Sequence, residues 1–252
     1  MTVIKLDNID EFRKVLRDYK VSDEAKQLLA SMNVVALSGV AGGGRNTVIN
    51  YLVEHYNYHF VVSDTTRPPK LRDGKMEVDG VNYFFRKEKD ILDDIKKGAF
   101  LEAEVIHNQQ VSGTSIRELQ RAKDSNQIPI MEMEFGGIEN LHNAKPDAHI
   151  IGLLPPSYEV WIKRFRGREE ITDQEFYNRL QTAQQVLSRM LSNHYFTLVV
   201  NDKVEDCAEM IRQFVEHDEY SEELRDKCRA IAEDMLDKVN AELTRLESRS
   251  VA

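Results

Sequence analysis

Cysteine is scarce in this chain: Cys207 and Cys228 are the only two in 252 residues. Two cysteines give neither a disulfide framework nor a metal-ligand spacing, and free thiols in a reducing compartment are the plain reading. Long apolar runs are missing as well, since nothing approaches the roughly eighteen residues needed to span a bilayer. The opening Met1-Thr2-Val3-Ile4-Lys5-Leu6-Asp7 turns acidic too early for a signal peptide, so a cytoplasmic protein without membrane attachment is expected. Positive charge is in deficit, with 34 Lys+Arg against 43 Asp+Glu and a net charge of -9. That balance excludes a general nucleic-acid binder, but a nucleotide needs only a local basic cluster. There is no internal repeat and no low-complexity tract. What remains is 41% hydrophobic and 31% charged, enough for one large α/β domain or a compact domain with appendages.

The most informative segment is Val34-Val35-Ala36-Leu37-Ser38 followed by Gly39-Val40-Ala41-Gly42-Gly43-Gly44-Arg45-Asn46-Thr47. A β-branched run ends in a glycine-rich turn, and a helix-compatible segment, Thr47 to Tyr56, follows. This is the strand–loop–helix context of a phosphate-binding loop. Successive backbone N–H groups with a helix N-terminus behind them form a concave anion site. The spacing is G-x-x-x-x-G, yet Arg45 stands where lysine is usual and Asn46 where serine or threonine is usual. A plain turn between strand and helix would read the same way, so the loop needs a second cluster to support it.

Around it the chain alternates strand and helix. Strands are predicted at Val34–Ser38, His59–Ser63, Ile128–Met133, His149–Leu153 and Leu198–Val200. Helices are predicted at Thr47–Tyr56, Ser115–Asp124, Ile138–Asn143, Ser157–Phe165, Asp173–Asn193 and Val204–His217. Alternation of this kind predicts a parallel sheet flanked by helices, with ligands at the carboxyl ends of the strands. Residues 1–33 form a helical preface, with a good N-cap at Ser22-Asp23-Glu24. From Ser63 to about Thr114 a β-rich insertion interrupts the rhythm, and Asp79-Gly80 between apolar stretches predicts a hairpin there. Residues 218–252 carry Leu224, Ile231, Met235, Val239, Leu243 and Leu246 at helical spacing, which predicts a docked amphipathic helix.

The second cluster is Ser63-Asp64-Thr65-Thr66-Arg67-Pro68-Pro69-Lys70-Leu71-Arg72-Asp73-Gly74. Arginine offers a planar fork suited to phosphate and the hydroxyls fill remaining acceptors. With the glycine loop upstream, this makes two phosphate sites, as phosphoryl transfer between a donor and an acceptor requires. Here the chain resembles the guanylate kinase family, whose acceptor loop reads roughly S-x-T-T-R-x-P-R-x-G-E, then x-x-G-x-x-Y-x-F. Matches continue in order through Asp79-Gly80-Val81-Asn82-Tyr83-Phe84-Phe85, Gly98-Ala99-Phe100-Leu101-Glu102 and Gly113-Thr114-Ser115. They run on through Met131-Glu132-Met133-Glu134-Phe135-Gly136-Gly137, Leu154-Pro155-Pro156-Ser157, Lys163 to Arg168, Asn178-Arg179-Leu180 and Val199-Val200-Asn201-Asp202. The resemblance covers residues 34 to about 215 and leaves both ends outside.

The resemblance implies transfer of the γ-phosphate of ATP to GMP or dGMP, with Mg²⁺, on a P-loop-type parallel sheet. The core would comprise residues 34–62 and 115–217, with a lid at about 164–178, a GMP-binding subdomain at 63–114, and helical extensions at 1–33 and 218–252. Ser63, Arg67 and Tyr83 match groups that hold the GMP phosphate. Lys70 matches a further phosphate-binding arginine, with Arg72 an alternative because extra residues precede Gly80. Glu102 matches the carboxylate that accepts the guanine N1 and N2 hydrogens, and Thr114 the hydroxyl near O6. Glu132 and Glu134 stand where the family has two aspartates. At i and i+2 on a strand they would share a face, Glu134 assisting guanine recognition and Glu132 near the Mg²⁺ shell. Arg164 and Arg168 match lid arginines that close over ATP phosphates, and Arg179 another phosphate-facing arginine. Gly39, Gly42, Gly43, Gly44, Arg45, Asn46 and Thr47 would cradle those phosphates, and Asn201 matches a residue that contacts adenine. Trp161 reads as core.

Departures from the family pattern fall on both sites. A tyrosine on the GMP phosphate is absent, and Ser112 stands in its place. Arg45 keeps a permanent charge but is bulkier than lysine. Thr47 cannot replace the lost hydroxyl by a one-residue slip, because each helical residue turns about 100° around the axis. The Asn46 carbonyl oxygen is a hard donor that can meet Mg²⁺ directly or through water. Two alternatives stay open: a non-catalytic module that binds GMP or phosphorylated ligands, and a related kinase with another acceptor.

Overall fold

The computed structural model describes residues 6–72, 74–106, 108–167 and 172–250. In chain order the elements begin with α1 (Ile9–Arg17), α2 (Asp23–Ala30), β1 (Val35–Gly39), α3 (Arg45–His55) and β2 (Tyr58–Phe60). Next come β3 (Asp64–Thr65), β4 (Leu71–Arg72), β5 (Lys75–Met76), β6 (Phe84–Phe85), α4 (Glu88–Lys96), β7 (Phe100–Ile106) and β8 (Gln110–Ser115). Then follow α5 (Ile116–Asp124), β9 (Ile128–Glu132), α6 (Phe135–Ala144), β10 (His149–Leu154) and α7 (Tyr158–Arg166). The last are α8 (Asp173–Ser192), β11 (Phe196–Val200), α9 (Val204–His217) and α10 (Glu222–Ser250). Two compact units emerge, one of residues up to Val34 plus Asn57–Ala148, the other of Val35–Tyr56 plus His149–Ala252.

The second unit is built on β11, β10 and β1, all parallel, with Val35 opposite His149 and Ile150 opposite Phe196. Every residue of β1 is buried, as is β10 after His149. Runs of Val, Ile and Leu without alternation suit strands covered on both faces. Two of the helices in this unit start where the sequence supplies a cap. Ser157 accepts from the Val160 N–H to open α7, and Thr172 from the Glu175 N–H to open α8. α10 docks as the apolar spacing predicts: Cys228, Ala232, Met235, Val239 and Leu243 are buried. Among the described residues no helix is long and apolar enough to cross a membrane.

The first unit carries the parallel pair β2–β9, with Tyr58 opposite Ile128, and a separate sheet in the order β6-β3-β8-β7. β7 is therefore the edge of that sheet. α1 and α4 pack on it through Leu6, Phe12, Ile91, Leu92 and Ile95. Glu88 binds the chain at the start of α1, accepting from the N–H groups of Asp7 and Asn8, which supplies the cap that Asn8 does not make itself. One expectation fails. The hairpin does not lie at Asp79-Gly80 but at β4–β5 around Gly74, where Leu71 faces Met76. At 78–85 the side chains of Asp79 and Asn82 accept from the Phe85 and Val78 N–H groups. Such local bonds compete with a two-residue turn, and β6 then pairs in parallel with β3 instead.

Candidate active site

In the second unit the glycine loop is held from three sides. Gly44 caps α3 with φ +96, and a Cβ there would lie 2.2 Å from the Asn201 amide nitrogen. That same nitrogen donates to the Gly43 carbonyl at 3.0 Å. Only glycine satisfies both the left-handed backbone and the close approach. From α7, the Trp161 indole N–H donates to the Ala41 carbonyl at 2.8 Å. Trp161 is buried, as expected, but it also fastens the loop. Arg164 donates to the carbonyls of Asn201 at 2.8 Å and Asp202 at 3.0 Å. Its guanidinium thus braces the strand end that carries Asn201, whereas the family pattern puts it in a lid over phosphates. Arg179 on α8 pairs with Glu175 at 2.9 Å and lies over the Phe165 ring. Ala41, Glu175, Asn178, Arg179 and Thr182 line one cleft of about 290 Å³, so the loop and Arg179 share a cavity. Asn46 and Thr47 are exposed on the first turn of α3, and Arg45 is half-buried.

The first unit gathers acceptor-side residues on and beside its mixed four-stranded sheet. Glu102 on β7 and Thr114 on β8 are directly opposite, and the Thr114 hydroxyl donates to the Glu102 carboxylate at 2.8 Å. Burial pushes the Glu102 carboxyl up to about 7, aided by the nearby Glu104, against the opposing hydrogen bond from Thr114. The N-terminal turn of α6 approaches the pair closely. A Cβ at Gly136 would sit 2.1 Å from a Glu104 oxygen, and one at Gly137 would sit 3.2 Å from Glu102 Cγ.

Two residues beyond β3, Arg67 is only 5% exposed, and its fork grips Glu77, itself 6% exposed, with both carboxylate oxygens engaged. Glu77 holds the guanidinium charged, raising its pKa against the cost of burial. One Glu77 oxygen also accepts from the Lys70 N–H at 2.9 Å, and the Tyr83 ring stacks beneath the guanidinium at 4.6 Å. Glu77 falls where the family's acceptor motif carries its glutamate, three residues before Gly80 and six before Tyr83, but no spacing shows that it pairs with Arg67. Asp64 carries no spacing signal: fully buried, it accepts from Arg86 and Arg117, each at 2.8 Å, and anchors the strand that leads into Thr65-Thr66-Arg67.

The remaining predicted residues are distributed as follows. Ser63 is half-buried and its carbonyl accepts from Phe84 N–H, and Ser112 shares a 2.8 Å hydrogen bond with the buried Thr65 hydroxyl. Lys70 is exposed. Glu132 ends β9, and Glu134 lies two residues on as the N-cap of α6, its backbone still extended. Helix α6 begins at Phe135, three residues after β9 ends. Arg168 and the side chain of Arg72 lie outside the described residues. Among the described residues no group of three or more His, Cys, Asp or Glu is arranged to hold a metal.

Comparison with known proteins gives one consistent answer. The family model for guanylate kinase matches residues 31–218. Guanylate kinase 1 of Oryza sativa subsp. japonica is 30% identical over 217 residues, covering 83% of this chain and 56% of the relative. The guanylate kinase of Corynebacterium glutamicum is 33% identical over 180 residues, 71% of this chain and 92% of the relative. The chain thus spans about half the length of the plant relatives it matches. Among solved structures, guanylate kinase from Anaplasma phagocytophilum superposes with a TM-score of 0.55 at 22% identity, covering 79% of this chain and 94% of that one, which bears on the fold. The in-order motifs, the parallel sheet with its glycine loop, and the match over residues 31–218 agree: the chain belongs to the guanylate kinase family.

Proposed function

We propose that the chain transfers the γ-phosphoryl group of ATP to GMP or dGMP. An oxygen of the acceptor phosphate forms a bond to Pγ, the Pγ–O bond to the β-phosphate breaks, and ADP and GDP leave. The observation that carries this reading is the Glu102–Thr114 pair, a half-buried carboxylate whose neighbouring hydroxyl is 2.8 Å away. Guanine presents two adjacent N–H donors that adenine lacks. A partly desolvated carboxylate left without those donors is costly, so it discriminates strongly between bases.

The other roles follow from chemistry and position. The acceptor phosphate would meet the remaining N–H groups of Arg67, with Lys70, Ser63, Ser112 and Tyr83 around it. Because Glu77 already balances the Arg67 charge, the net positive potential there must come from Lys70 and, by sequence alone, Arg72. Residues 63–114 would act as the acceptor-binding subdomain and about 164–178 as the lid. On the donor side the loop Gly39–Thr47 would cradle the ATP phosphates, Arg45 and Arg179 would offset their charge, and Asn201 would border the adenine. Arg168 would join them by its match to the family. The exposed Asn46 amide oxygen and the Glu132 carboxylate are hard oxygen donors and suit Mg²⁺, directly or through water. When bound, such an ion would supply positive charge against the ATP phosphates.

A coupled assay of ADP formation with ATP, Mg²⁺ and GMP tests the reading, with the Arg45→Lys/Asn46→Ser double variant beside the wild type. Turnover in the wild type is expected. Undetectable rates at millimolar substrates in both proteins, with GMP still binding in calorimetry, would leave a binding module and remove the kinase.

A further inference from the structure

The family match begins at residue 31, yet the segment before it reaches the acceptor sheet. β7 is the edge strand, and its pairing with β8 slips between Phe100, opposite Ser115, and Glu102, opposite Thr114. Such a bulge re-aims the side chains that follow it. On the open edge at that point sits Tyr19, in the connection between α1 and α2. Its hydroxyl donates to the Phe100 carbonyl at 2.6 Å and accepts from the Phe100 N–H at 3.2 Å. Three residues on, Ser22 presses against Gly98, where an added Cβ would lie 3.2 Å from Ser22 Cβ. The turn 19–22 thus grips Gly98–Phe100 immediately before Glu102.

We propose that Tyr19 is a positioning residue for base recognition: by satisfying both backbone groups of Phe100 it fixes the bulge that aims Glu102 at the guanine edge. The inference rests on the reading of Glu102 given under Proposed function. Tyr19 makes no bond to the carboxylate. It acts through the backbone two residues away, and by occupying the edge it keeps water from that side. The Tyr19 hydroxyl itself is pushed up in pKa, chiefly by burial and also by the charge of Glu102, which agrees with their proximity. Among the described residues, the groups recorded around Glu102 are Glu104 two residues along β7, Thr114 on β8 and Gly137 in the first turn of α6, with the Tyr19 hydroxyl near enough to feel its charge.

Tyr19→Phe removes only the hydroxyl, and Val15→Ala loosens the packing of α1 while keeping it. In Tyr19→Phe the KM for GMP is expected to rise about tenfold and the preference for GMP over IMP to shrink, with the KM for ATP and kcat little changed. Val15→Ala, matched for loss of thermal stability, is expected to leave the GMP-to-IMP ratio intact. A ¹³C titration of the Glu102 carboxyl without nucleotide gives a second readout, in which the Tyr19→Phe midpoint falls by about tenfold in proton affinity, towards the ordinary carboxylate range, as water enters. An unchanged ratio and an unchanged midpoint in Tyr19→Phe would overturn the proposal, as would an equal loss of ratio in Val15→Ala. If the wild type does not use GMP at all, the kinase reading fails alone, and the titration still decides whether Tyr19 sets Glu102.

Discussion

At the scale of single residues, Glu102 gives the most direct pH dependence. Its carboxyl is pushed up to about 7 by burial and Glu104, above its value in an unfolded chain. The folded protein therefore holds that proton to higher pH than the unfolded chain does. The group's contribution to stability is fully present below the ordinary carboxylate range and is lost as pH rises through about 7. That loss is on the order of 3 kcal/mol at most, because a tenfold difference in proton affinity corresponds to about 1.4 kcal/mol. Guanine binding has the opposite sign, because only the ionised carboxylate accepts from both N1 and N2. The kcat/KM for GMP is thus expected to climb with pH through about 7 in the free protein. Glu102→Gln should abolish that limb and lower kcat/KM by at least about a hundredfold. The variant also separates this limb from ionisation of the GMP phosphate, whose second proton leaves near about 6. A limb that survives in Glu102→Gln would assign the titration elsewhere.

At the scale of elements, the glycine loop is set by two constraints that a substitution can separate. Gly44 and Gly74 both have positive φ, +96 and +74. A Cβ at Gly74 meets nothing within 4 Å, whereas one at Gly44 meets the Asn201 amide at 2.2 Å. Gly74→Ala is expected to cost about 1 kcal/mol, the backbone penalty alone. Gly44→Ala should cost roughly twice that or more, because it also displaces the Asn201–Gly43 bond. Urea unfolding measures both, and equal costs would mean that Asn201 yields without loss. The contrast also marks what is legible in the sequence. The strand–loop–helix unit is visible from Val34–Ser38 and its glycines, and α8 and α9 emerge within a residue of their predicted spans. Helix α4 escapes the pattern, although Ile91, Leu92 and Ile95 bury one face, because it hides in a segment dominated by turns. The hairpin is displaced because Asp79 and Asn82 spend their side chains on local backbone groups. Glu77 can be placed by its spacing to Gly80 and Tyr83, but its bond to Arg67 depends on a loop path that no periodicity encodes.

At the scale of the whole molecule, the segments outside the family match do structural work within their own units. The match stops at residue 218, and α10 begins at Glu222. Tyr220 ties its approach to the Leu198 carbonyl of β11 at 2.6 Å. Asn240 accepts from Gln184 at 2.6 Å, and Lys238 pairs with Glu159 at 2.9 Å, so α10 reaches both helices that flank residues 167–172. The middle of its apolar stripe is covered, with Met235 and Val239 at 0% exposure, while Leu224, Ile231 and Leu246 are half-buried. The exposed ion pairs on its outer face contribute little, so the stripe carries the attachment. Met235→Ala removes side-chain volume from a closed interface and is expected to destabilise by about 2–5 kcal/mol. For a chain of this size that corresponds to a fall in Tm of roughly 5–15 °C. Lys238→Ala, which breaks only surface pairs such as that with Glu159, should shift Tm by roughly 3 °C or less. Calorimetry on the two variants separates a helix that belongs to the core from one merely tethered by charge. A Met235→Ala protein that melts with the wild type would mean that α10 can leave without disturbing the sheet beneath it.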